Sequence, residues 1–215
     1  QIINVPQDYP SIQSAINSAV ENDTVLVAPG EYFENINFNG KNIVLCSNFA
    51  FSGNPDDISS TIINGSMPMH ADTGSCVLIV SGEDSTAVLQ GFTITAGTGT
   101  RWEDEHGANL WYTEGGGILI QYSSPTIKNN IITENEAINV PAGTASAGGG
   151  GIRCGDGNPY IINNIISNNQ GRYGGGIVMN YSGANIKNNI ITGNSGGEDF
   201  GGGGFSWNVF EEPFY

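Results

Sequence analysis

The apolar residues of this chain fall into short runs in which alternate positions are hydrophobic, and Gly, Asn, Ser and Pro close each run. A period of two with Ile and Val prominent predicts β-strands and turns rather than helices. The first strands are predicted at 25–27, 36–38 and 43–45, with less regular ones at 61–63, 76–80 and 88–94. One stretch differs. Ile12, Ala15, Ile16, Ala19 and Val20 stand at helical spacing behind the turn formers Asp8 and Pro10, predicting a short amphipathic helix.

In the second half the pattern becomes a repeat. GGGILIQYSSPTIKNNIIT starts at Gly115, GGGIRCGDGNPYIINNIIS at Gly149 and GGGIVMNYSGANIKNNIIT at Gly174, and a shorter GGGFSWN follows at Gly202. Within each full copy the first Ile (Ile118, Ile152, Ile177) stands eleven residues before the first Asn of a pair (Asn129, Asn163, Asn188). Between copies the spacing varies: 34, 25 and 28 residues separate Ile118, Ile152, Ile177 and Phe205. Constant units joined by variable loops predict a solenoid of stacked coils. The segment LQGFTIT around Phe92 is a degenerate copy of IKNNIIT.

Stacking turns aligned positions into columns about 4.8 Å apart. Ile118, Ile152, Ile177 and Phe205 form one inward column; Ile120, Cys154, Met179 and Trp207 form a second; Ile127, Ile161 and Ile186 form a third. The mixed column Leu119, Arg153, Val178 and Ser206 is expected to face outward, as are Lys128 and Lys187. The strand holding Ile165 is expected to adjoin the core. Asn129, Asn163 and Asn188, the neighbouring Asn130, Asn164 and Asn189, and then Asn135, Asn169 and Asn194 give three Asn columns. An Asn amide both donates and accepts, so such columns can hydrogen-bond along the stack. The GGG runs meet a need for positive φ or close approach between coils. No Lys-Ser or Lys-Thr follows them, so they are not phosphate loops.

On these repeats, Asn columns and strands the chain resembles the right-handed parallel β-helix superfamily, which includes pectate lyases, pectin esterases and repeat proteins of bacterial surfaces. The resemblance covers essentially the whole chain. The opening INVPQDYPSIQSAINSAVENDTVLVAPGEYFENINFNGKNIVL is similar to that of the pectin esterase-like branch. It implies an all-β fold: a right-handed parallel β-helix solenoid of about six coils with a short N-terminal capping helix. The expected layout is one domain over 1–215, with a cap at 1–24, irregular coils at 25–114, regular repeats at 115–207 and an aromatic tail at 208–215. It also implies an exported protein, secreted or held at a bacterial cell surface. Family enzymes carry an Asp pair with an Arg, Ca²⁺-binding Asp residues with a basic residue, or an Asp triad. None of these motifs has a counterpart here, which leaves enzymatic activity open.

Composition narrows the partners. A net charge of −15 with only six Lys and Arg argues against nucleic acid and anionic membranes. No apolar stretch approaches the ~20 residues of a membrane span. The chain begins at Gln1 without Met or a signal peptide, as a mature exported form would. Cys154 reads as a small core residue, while Cys46 and Cys76 could meet on neighbouring coils. Thr93-Ile94-Thr95 has the T-x-T pattern of ice-binding solenoids, with no array expected above it.

Candidate chemistry lies in the loops that leave the coil after each IIT or IIS strand. They span 96–114, 134–148, 168–173 and 193–201, and stacking must project them side by side from one corner. The first carries Arg101, Trp102, Glu103, Asp104, Glu105, His106, Trp111 and Tyr112; the others add Glu134 and Glu136, Arg172 and Tyr173, and Glu198 and Asp199. Loops on a rigid scaffold carry function. Exposed aromatic rings suit stacking on sugars, and paired carboxylates suit acid–base chemistry or oxygen ligation of Ca²⁺. The expected function is recognition, extending to cleavage, of extracellular polysaccharide by these loops. The alternative is a non-enzymatic surface, structural or adhesion module. Phe205, Trp207, Phe210, Phe214 and Tyr215 near the last coil raise self-capping, a longer repeat or self-association at that end.

Overall fold

A computed structural model describes residues 1–103, 106, 109–137, 148–197 and 202–208. The strands wind through three long parallel sheets, so each coil contributes one strand to each. In one coil Thr126–Lys128 lies in the first sheet, Ile131–Thr133 in the second and Ile152–Gly155 in the third. Among the described residues the second and third sheets are six-stranded, giving six complete coils; the first has a seventh strand, Ile2–Val5. That extra strand was not predicted: it precedes the helix and pairs in parallel with Thr24–Val27.

The helix is Ile12–Ser18, closed at its start by a capping box between Ser11 and Ser14. Ile12, Ala15, Ile16 and Ala19 face the core, but Val20 lies beyond the helix and is exposed. The helix covers the first coil as expected. Two short helices, Phe49–Ser52 and Asp56–Ser60, form an unpredicted insertion between the first and second sheets.

The registers reproduce the inward columns. Ile118 pairs with Ile152, Ile152 with Ile177 and Ile177 with Phe205; Ile127 pairs with Ile161 and Ile161 with Ile186. Ile118, Ile120, Ile127, Ile152, Cys154, Ile161 and Ile177 are fully buried, and burial of one Ile side chain stabilises by roughly 1.5–3 kcal/mol. In the second sheet the core position is Ile166 rather than Ile165, which is 39% exposed. The strand adjoins the core as expected but through Ile166, because one residue along a strand exchanges the two faces.

The three Asn columns divide into two ladders and one set of turns. Asn129, Asn163 and Asn188 have φ of 55°, 57° and 55°, the left-handed corner between the first and second sheets. Asn tolerates this conformation better than most residues. The hydrogen-bonded ladders are the other two columns. Asn130 Nδ2 donates to Asn164 Oδ1 at 3.1 Å, and Asn164 Nδ2 to Asn189 Oδ1 at 3.0 Å. Asn135 and Asn169 donate likewise to Asn169 and Asn194, at 3.0 and 2.9 Å. Both roles expected of the GGG runs occur together. Gly115, Gly149 and Gly174 have φ of 61°, 70° and 52°. A Cβ on Gly116, Gly150 or Gly175 would lie 2.4, 2.2 or 2.1 Å from a carbonyl oxygen of the neighbouring corner.

The T-x-T motif gains no array, as expected: Thr93 stands between Ile62 and Ile131, and hydroxyls recur only in the single column Thr133, Ser167 and Thr192. All three cysteines are free and buried. Cys46 lies in the first sheet and Cys76 at the corner before the third, on different sides of the coil.

Candidate functional site

The third sheet carries the largest surprise. Leu119, Arg153 and Val178 point away from the core, yet their exposures are 0%, 2% and 6%. The expectation of a solvent-facing column is wrong because the loop ahead of this sheet folds back over it. Gly99–Glu103 and Trp111–Glu114 pair as an antiparallel ribbon, which also joins Thr73–Gly74. At its base Glu114 Oε1 accepts a hydrogen bond from Arg153 Nε at 3.0 Å, with both side chains 3% exposed. At its tip His106 Nε2 lies 3.1 and 3.3 Å from the two Asp156 carboxylate oxygens and its ring stacks on Tyr181, centroids 3.6 Å apart. The ribbon therefore runs along the solenoid axis, from Arg153 one coil on to Tyr181 two coils on.

Asp156 closes a polar shelf where the chain leaves the third sheet. Gln121 Nε2 donates to Asp156 Oδ2 at 2.9 Å, which turns Gln121 Oε1 the other way, over Gly155. The register stacks Gln121, Gly155 and Asn180 in successive coils. Tyr122, Asp156 and Tyr181 follow them with φ of 54°, 45° and 51°. A left-handed residue costs roughly 1–3 kcal/mol in general. Its recurrence at one position in three coils assigns it to the turn rather than to a ligand.

The second feature is the corner between the second and third sheets. A cleft of about 330 Å³ opens there, lined by Ala96, Gly97, Thr98, Glu134, Asn135, Glu136, Asn168 and Gln170. Glu134, Glu136 and Gln170 are exposed, whereas Asn135 is buried in its ladder. Glu134 sits at φ 56°, and Glu136–Ala137 pairs in parallel with Gln170–Gly171, so adjacent loops are zipped together at this edge.

The predicted residues thus separate into groups. Glu134 and Glu136 share the cleft with the base of the first loop. Arg101, exposed, lies over the Trp111 ring at 5.0 Å, and Arg172 over Tyr173 at 5.5 Å, both cation–π contacts. Trp102 and Tyr112 are half-buried in the ribbon, and Glu103 Oε1 accepts from the Asn109 amide at 3.3 Å. His106 is drawn away to Asp156. Asp104, Glu105, Glu198 and Asp199 lie outside the described residues, as does the tail from 209 onward. Among the described residues no three of His, Cys, Asp and Glu come together as metal ligands. No helix is long and apolar enough to cross a membrane, again among the described residues.

Glu114, Gln121, Asp156, Gln170, Asn180 and Tyr181 were missed. Alignment of the copies held part of the signal, since Gln121, Gly155 and Asn180 share one column and Tyr122, Asp156 and Tyr181 the next. What alignment lacked was the direction in which the ribbon folds.

Three parallel sheets wound coil on coil, braced by Asn ladders and capped by a helix, define a parallel β-helix protein. The chain belongs to the family described as "Protein of unknown function (DUF1565)", whose model matches residues 5–203. No curated protein matches it significantly.

Proposed function

We propose that this is an exported, surface-acting β-helix that recognises extracellular polysaccharide along the corner between its second and third sheets. The observation that carries this reading is the cleft of about 330 Å³ whose walls present Glu134, Glu136, Thr98, Asn168 and Gln170. These side chains offer carboxylate, hydroxyl and amide groups to sugar hydroxyls, on a frame held by parallel pairing between neighbouring loops. Among the described residues the lining has no basic side chain, and the chain carries −15, so a neutral glycan is favoured over a polyuronate. Two carboxylates on one wall also suit acid–base catalysis or Ca²⁺ ligation, and cleavage belongs to the same hypothesis.

The test is depletion of the protein by insoluble and immobilised polysaccharides, with and without Ca²⁺, while reducing-end and unsaturated products are followed. Wild type should bind and a Glu134→Gln, Glu136→Gln double variant should bind at least tenfold more weakly. Unaltered binding by the double variant would remove the cleft from the mechanism.

A second reading, a rigid structural or adhesion module, is favoured by the ribbon docked flat against the third sheet through Glu114 and His106. Absence of wild-type binding across neutral and acidic glycans would select it.

A further inference from the structure

Gln121 is completely buried, and its Oε1 has no hydrogen-bond partner; the buried Oδ1 of Asn180 has none either. The two residues flank Gly155 in successive coils, and the Gln121 amide is folded across that glycine. Glycine at 155 is what lets the Gln121 amide lie there, since a Cβ would collide with Gln121 Oε1 and with Arg153 Nη1. The amide orientation is not arbitrary. Nε2 faces the Asp156 carboxylate, an acceptor, and this obliges Oε1 to turn away from it, over Gly155. Buried acceptors are almost always paired, so two orphans on one shelf call for a donor from outside the chain.

The geometry points to a second subsite, at the exit edge of the third sheet, for adjacent hydroxyl groups of a neutral sugar or polyol. Gln121 Oε1 and Asn180 Oδ1 accept from the hydroxyls. Asp156 orients the Gln121 amide, and His106, stacked on Tyr181, roofs the shelf. His106 and Asp156 side chains are 37% and 23% exposed, so the ligand approaches under the ribbon tip. The inference rests on the carbohydrate reading, but the shelf lies at the opposite end of the third-sheet strands from the corner cleft.

The experiment is side-chain amide NMR of the full chain titrated with methyl glucoside, with glycerol and glucuronate as parallel arms. Gln121 and Asn180 amide signals should shift saturably with methyl glucoside, while the buried ladder residue Asn164 should not. Gln121→Met, and separately the less buried Asn180→Leu, should weaken this titration at least fivefold. Each variant must keep a near-wild-type melting temperature, and either one that does so suffices. Saturation by glycerol at equal affinity would identify free polyol as the source of the hydroxyls. Glucuronate binding as tightly as methyl glucoside would overturn the neutral-sugar assignment. Absence of shifts, or folded variants that titrate like wild type, would overturn the subsite. That failure is separable from failure of the cleft, which is read from polysaccharide depletion by the Glu134, Glu136 variant.

Discussion

Arg153 Nε donates to Glu114 Oε1 at 3.0 Å between side chains that are each 3% exposed, on the outer face of a sheet rather than inside the coil. The pair clamps the base of the ribbon to the next coil. Either Glu114→Leu or Arg153→Met should destabilise by about 3–5 kcal/mol, since each strands the other charge. The combined Glu114→Leu, Arg153→Met variant should lose less than the sum of the singles. Urea melts of the four proteins check this, and additivity would mean that the charges are not coupled.

The neighbouring asparagines of one pair should behave oppositely. Asn164 Oδ1 accepts from the Asn130 backbone and side-chain amides, and its Nδ2 donates to Ile127 O and Asn189 Oδ1. Asn164→Leu should cost several kcal/mol, because buried groups in the coils on either side lose a partner at about 1–3 kcal/mol each. Asn163→Gly should be close to neutral, since its task is to hold φ at 57°. Equilibrium unfolding of the two variants separates the roles.

The one-residue shift in the second sheet gives a direct contrast. Ile166→Asp, at 0% exposure, should prevent folding or lower the melting temperature steeply, while Ile165→Asp, at 39%, should be tolerated within about 1 kcal/mol. Soluble yield and thermal melts report the difference.

Stability should fall on the acid side through particular turns. Asp84 Oδ1 accepts from the Thr86 hydroxyl at 2.6 Å and the Thr86 amide at 2.7 Å, which holds its pKa below the ordinary 3.8. Asp8 is held low in the same way by the Asn4 backbone and side-chain amides. A folded pKa below the unfolded one contributes stability that is present above 3.8 and lost as pH falls through the folded value. Asp84→Asn should therefore flatten the decline of melting temperature below about pH 4.

The thiols should be inert while the coil is intact. Burial pushes Cys76 and Cys154 up to about 12, and Cys46 to about 11. A thiol reagent at about pH 8 should label none of them in the native protein and all three after denaturation. Rapid native labelling of Cys154 would contradict its place between Ile120 and Met179.

The coil is legible in the chain. Constant spacing from Ile118 to Asn129, repeated twice more, set strand identity, stacking register and the inward columns, because parallel coils can bury their Ile faces only when like positions align. It also located the corner at which the loops emerge, and Glu134 and Glu136 do line a cleft there. What covers the outer faces follows from the fold and not from the repeat. Arg153 sits in a column that reads as exposed, and only the return of the ribbon makes it a buried partner of Glu114, thirty-nine residues away. His106 reads as a corner residue, yet the same fold carries it to Asp156 and Tyr181. Periodicity records which face of a strand a residue occupies; it does not record which non-repeating segment lies down on that face, since this depends on contacts that no second copy repeats.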